Sequence, residues 1–182
     1  MKQFFYYIFI VFTLFAFTPA HAKSIGVVWL NENTMQNKDL TISRPNMRWR
    51  FDLNKQDGTL QMLRYYRNGH DILIEFDVHH QHLNASIQKK RKQQLSFNTF
   101  KKNLISVYEH QNFKISSFTQ PSKNSVLLEG LNEQQQHLIA YIRLKNENVL
   151  DDFISMKTVL DHKDYDEFKQ AFMKVSLSLI PR

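Results

Sequence analysis

Four of the eight histidines, His70, His79, His80 and His82, fall within a 13-residue stretch that also holds Asp71, Glu75 and Asp77. Residues two apart on a strand project the same way, which would place His80 and His82 together, roughly 7 Å apart at Cα. Two imidazoles so placed can share a divalent ion such as Zn²⁺ or Cu²⁺. They need neutral nitrogens, a third ligand and outer partners to orient them. His79, Asp77 and His70 are the candidates for that third position. The same spacing also describes a strand leaving the core, with Ile72, Ile74, Phe76 and Val78 as its buried set and His80 and His82 continuing that face beyond the sheet. His110, His137 and His162 are scattered along the rest of the chain.

A second concentration of chemistry is Lys89-Lys90-Arg91-Lys92, with Lys101 and Lys102 close behind. Such a run can meet an anionic surface, and it is equally at home as a solvated loop, because adjacent like charges repel and favour water. Aromatic residues that could stack bases are missing between Asn84 and Gln94, which argues against nucleic acid as a partner. Neither Gly-x-Ser-x-Gly nor His-Glu-x-x-His occurs. The four glycines are too widely spaced to cradle a phosphate. Asp151-Asp152 and the acids from Asp161 to Glu167 suit surface charge and helix capping. Trp29, Trp49, Tyr65, Tyr66 and Tyr141 could line a groove, although aromatic residues on alternating strands more often pack in the core. These patterns lead to the expectation of a protein that is not an enzyme and requires no cofactor.

The elements that would position these residues are legible in the pattern. Ser24 to Leu30 and Leu40 to Ser43 are expected strands. Met47, Trp49, Phe51 and Leu53 alternate with Arg48, Arg50 and Asp52, as a half-buried strand requires. Asp57-Gly58 and Asn68-Gly69 are tight-turn dipeptides that delimit a three-stranded meander. A two-residue turn at Asn68-Gly69 pairs Arg67 with His70, Tyr65 with Ile72, Leu63 with Ile74 and Gln61 with Phe76. It also sets Arg64 between Asp71 and Glu75. Ser96 can cap a helix whose apolar stripe is Phe97, Phe100, Leu104, Val107 and Tyr108. Four extended segments follow, Phe113 to Thr119, Ser125 to Glu129, His137 to Lys145 and Val149 to Thr158. The closing helix opens on Asp164 with Glu167 three residues on, a capping-box-like arrangement, and its apolar face is Tyr165, Phe168, Phe172, Val175 and Leu179.

The first 22 residues have the form of a secretory signal: Lys2, an apolar run from Phe4 to Phe17, and the small-x-small site Ala20-His21-Ala22. Cleavage at about Ala22 would leave residues 23–182 as one domain without a stable membrane anchor, in a periplasm or secreted. That portion carries 23 basic and 17 acidic residues, a formal +6. The absence of cysteine removes disulfide staples, so a packed core must supply the stability of an exported chain.

The order of elements resembles the PsbP-like fold, a group that includes the extrinsic protein of photosystem II and the DcrB-like periplasmic proteins. The features concerned are Leu127-Leu128-Glu129-Gly130, the two long strands His137 to Lys145 and Asn148 to Ser155, the closing helix Asp164 to Leu179 and the opening Ile42-Ser43-Arg44-Pro45. The resemblance spans about Leu40 to Ile180 and carries no functional residues with it. It implies an antiparallel sheet of about six to eight strands with two main helices packed on it, an α/β/α sandwich. It also implies an accessory role by contact with a protein or envelope component. The alternative is a metal-binding module built on the histidine cluster.

Overall fold

The computed structural model describes residues 27–56, 58–79, 97–146 and 149–182. The leader, Ser96, His80, His82 and the Lys89 to Lys92 run lie outside the described residues.

The described residues form an α+β fold with eleven strands and two main helices. Seven strands form one antiparallel sheet in the order β4-β5-β6-β10-β9-β8-β7. They are β4 (Trp49–Leu53), β5 (Leu60–Arg67), β6 (His70–His79), β7 (Phe113–Ser122), β8 (Ser125–Asn132), β9 (His137–Asn146) and β10 (Val149–Leu160). A smaller sheet in the order β1-β2-β3-β11 joins the two ends of the described chain. Its strands are β1 (Val28–Trp29), β2 (Thr34–Gln36), β3 (Leu40–Ser43) and β11 (Ile180–Pro181). This second sheet was not expected. Pro181 is paired with Leu40 in it.

Side chains alternate across the large sheet, and each face receives one helix. Leu127, Ile139, Tyr141, Ile154 and Met156 face helix α2 (Tyr165–Ser178), which inserts Phe168, Phe172 and Val175 among them. Met35, Leu40 and Ile42 from the small sheet complete that core. Their neighbours Val126, Leu128, Leu138, Ala140 and Ile142 face the other way, against Phe100 and Tyr108 of helix α1 (Phe97–Glu109). The expected sandwich is therefore present and each predicted stripe meets a sheet face, although on α1 only Phe100 and Tyr108 are buried, Phe97 and Leu104 are half-buried and Val107 is 51% exposed. Phe172 is wholly inaccessible.

At the Asn68-Gly69 turn both residues have positive φ, 54° and 79°. The register is as the sequence implies, with Arg67 opposite His70, Tyr65 opposite Ile72 and Leu63 opposite Ile74. The companion turn differs. β4 and β5 are joined through a wider loop in which the Asn54 amide donates to the Thr59 carbonyl at 2.8 Å. Leu53 faces Leu60 there, with a register shift beside it. β7 also runs further than expected and includes Pro121, which an edge strand tolerates because its outward N–H has no partner to lose.

Asp164 precedes α2 as expected, but its carboxylate makes no cap. Buried at 5% exposure, it meets Nδ1 of His70 at 2.7 Å, 94 residues away. A helix-start acid has thus been recruited to fix the β5–β6 turn onto α2. A short 3₁₀ turn, His162–Asp164, leads into the helix instead of a capping box.

Candidate functional site

The strand alternation that places Arg48 and Arg50 away from the α2 core also decides what surrounds them. Arg50 is directly opposite Arg64, and Met62 opposite Glu75, on the face of the sheet that α1 covers further along. Among the described residues α1 reaches this side at β6, where Leu104, Val107 and Tyr108 form a groove with Glu75, Asp77 and His79, and no helix lines the depression over β4 and β5. Arg64, Tyr66, Glu75 and Asp77 are exposed there. Met47, Arg48, Arg50, Arg64, Tyr66 and Arg67 line a depression of about 470 Å³. Tyr66 is 76% exposed and Met47 59%.

The charge in this depression is unevenly compensated. Arg64 makes a two-point contact with Asp71, Nε to Oδ1 at 3.0 Å and a terminal nitrogen to Oδ2 at 2.8 Å. The hydrogen bond and the negative charge of Asp71 raise the guanidinium pKa above its ordinary value. The expected cluster is half formed, because Glu75 turns to Lys157 at 3.1 Å instead. Arg48, Arg50 and Arg67 have no carboxylate partner among the described residues. Like charges directly opposite on neighbouring strands cost stability. Here the fold holds Arg50 against Arg64 and leaves the first of them uncompensated.

A second groove, about 340 Å³, runs where α1 meets β6 and β10, with Leu104, Val107, Tyr108 and Phe153 along it and Asp77 and His79 at its rim. His79 and Asp77, both proposed as metal ligands, bind one another at 2.9 Å. Phe153 lies against the His79 ring, centroids 4.3 Å apart. Burial, with the charges of Asp77 and Glu75 adding to it, pushes the Tyr108 hydroxyl up to about 12. His70, the fourth histidine of the cluster, is committed to Asp164 on the α2 side. No group of three His, Asp or Glu side chains suited to a metal ion occurs among the described residues. Of the candidate metal ligands among the described residues, His79 and Asp77 are brought together and His70 is held apart by Asp164.

One constellation was not foreseen. Glu129 on β8 shares a face with Leu127, and His137 on β9 shares that face with Ile139, so both meet the first turns of α2. Oε2 of Glu129 accepts from the Tyr165 hydroxyl at 2.5 Å and from Lys169 Nζ at 2.8 Å. Lys169 also donates to the Tyr165 oxygen at 2.9 Å. Burial alone would raise the Glu129 carboxyl, but hydrogen bonds from Lys169 and Tyr165 hold it below its ordinary value. Tyr165 is raised by burial and by its bond to Glu129, and Lys169 is raised by its bonds to Glu129 and Tyr165. Each partner thus stabilises the other's resting protonation state, the reverse of a poised base or nucleophile.

The His137 ring stacks on Tyr165 with centroids 4.0 Å apart. His137 Nε2 is 3.1 Å from His162 Nδ1, in rings inclined by 23°. One nitrogen donates and the other accepts, so the pair accommodates one shared proton more easily than two. Burial lowers the His137 pKa, and the neighbouring His162 charge adds to that.

Sequence spacing contained part of this network, since Tyr165 and Lys169 are one helical turn apart. The loop between β8 and β9 is too long to fix a register from sequence, which hid Glu129 and His137. For the arginines, alternation revealed Arg48 and Arg50, whereas their meeting with Arg64 depends on the wide loop after Leu53.

No described helix is long and apolar enough to cross a membrane. No family model and no curated protein matches the chain. Among solved structures, the solution structure of cyanobacterial PsbP (CyanoP) from Synechocystis sp. PCC 6803 is similar to it. The TM-score is 0.46 and the identity 11%, over 79% of this chain and 86% of that one.

Proposed function

We propose that this protein is an exported, non-enzymatic accessory protein that works by contact with a protein of the cell envelope. The observation that carries the reading is the β4–β6 face, where guanidinium groups without carboxylate partners adjoin an exposed tyrosine and methionine. Arg, Tyr and Met are the residue types enriched at protein interfaces and among the side chains that dominate their energetics. The secretory-type leader supports export, since an apolar run of that length ending at Ala20-His21-Ala22 is the form a signal peptidase cuts.

Affinity recovery of the tagged full-length protein from its own envelope tests the reading. A partner retained in moderate salt and displaced by untagged protein is the expected result. Recovery that disappears as salt screens charge would show attraction without a fitted interface and would count against a contact role.

A further inference from the structure

Resting on that contact role, we infer that the depression on β4–β5 is a docking site for a carboxylate-bearing segment of a partner protein, held by the paired forks of Arg48 and Arg50 and seated against Tyr66. Charge complementarity selects the sign: three of the four arginines around the depression lack a carboxylate, and the fourth, Arg64, shows in its contact with Asp71 the two-point geometry an incoming Asp or Glu would adopt. Residue type selects the class of partner. Among the described residues that line it, all four cations are arginines and none is lysine. A planar guanidinium is matched to carboxylate and stacks on aromatic rings, whereas attraction to a lipid surface makes no such distinction between the two cations. Tyr66 is in place for stacking, with the Arg64 guanidinium 5.9 Å from its ring centre. Holding Arg50 opposite Arg64 costs stability in the free protein, and a bound carboxylate between them would relieve that repulsion.

The probe is a fluorescently labelled hexaglutamate peptide, titrated into the full exported protein at physiological ionic strength, where distant charges are screened, and followed by anisotropy. Neutralising two charge-assisted contacts in Arg48→Gln/Arg50→Gln is expected to weaken binding by at least about tenfold. Arg48→Lys/Arg50→Lys, which keeps the charge and removes the fork, is expected to recover only part of that loss. Tyr66→Ala should weaken the peptide about threefold or more, as loss of an interface aromatic does. All these positions are on the exposed face, and thermal unfolding no lower than that of the wild type in each variant separates lost binding from lost folding.

Replacing the Lys89, Lys90, Arg91 and Lys92 run with glutamine should leave binding within about twofold. Binding that survives in Arg48→Gln/Arg50→Gln, is fully restored by lysine or follows the Lys89 to Lys92 run overturns the assignment. So does arginine-dependent sedimentation with phosphatidylglycerol vesicles in place of peptide binding. If the peptide fails while a salt-resistant envelope partner is still recovered, this site falls and the contact role stands.

Discussion

Replacing Glu129 with glutamine should reveal how much of the β8–α2 junction depends on one charge. In the wild type the carboxylate receives two charge-assisted hydrogen bonds, from Tyr165 and Lys169. Bonds to charged groups contribute about 1.5–3 kcal/mol each when well shielded. Glutamine keeps one acceptor oxygen, and the side chains of Lys169 and Glu129 are 35% and 20% exposed, so water screens part of the interaction. The expected cost of Glu129→Gln is therefore about 1–2 kcal/mol, or about 2–8 °C in melting temperature for a chain of this size.

Its pH dependence identifies the cause. Glu129 titrates below its ordinary value of 4.5 in the folded protein. Its contribution is thus complete above that value and is lost as pH falls through the lower folded one. Urea unfolding of both proteins at neutral pH and at about pH 3 should show a larger gap at the first than at the second. An equal gap at both, or none at neutral pH, would refute the charge-based account of this junction.

Further consequences concern other parts of the molecule. Phe172→Ala should cost about 3–5 kcal/mol by calorimetry, since the ring is fully enclosed by the α2 core. Thr158 is 3% exposed and its hydroxyl has no hydrogen-bond partner. Thr158→Val should therefore be neutral or stabilising by about 1 kcal/mol in urea unfolding. Gly130→Ala should destabilise by about 1–3 kcal/mol, because a methyl there would meet the Lys114 carbonyl oxygen at 3.0 Å, and backbone cannot swing aside. Acidification from neutral to about pH 5.5 should lower stability in the wild type more than in His137→Asn, since a depressed imidazole loses its contribution as pH falls through its folded pKa.

The sequence was most informative where local chemistry and periodicity agreed. Asn68-Gly69 set the β5–β6 register because both residues accept positive φ, and a two-residue turn leaves no choice of pairing. The stripes through Phe100 and Phe172 announced two helices, and alternation on β8 and β9 explains how both find an apolar face. Legibility ended where long-range pairing decided the outcome. Asp164 looked like a cap because such acids usually are, and only the approach of His70 revealed its role. Two prolines lie in strands where local chemistry would set a break, Pro121 on an edge strand and Pro181 on a two-residue strand closing the small sheet. The arginine depression was hidden for the same reason: its halves come from strands whose register passes through an irregular loop.

The central claim, that the arginine-lined β4–β5 face is where a partner protein docks, is tested most directly by photo-cross-linking in intact envelopes. A photoreactive residue replaces Tyr66 in one protein and Leu177, exposed on α2 across the sheet, in another. A discrete adduct from position 66 that resists moderate salt and is lost in Arg48→Gln/Arg50→Gln is the predicted result. A discrete adduct from position 177 with none from position 66 would contradict the claim.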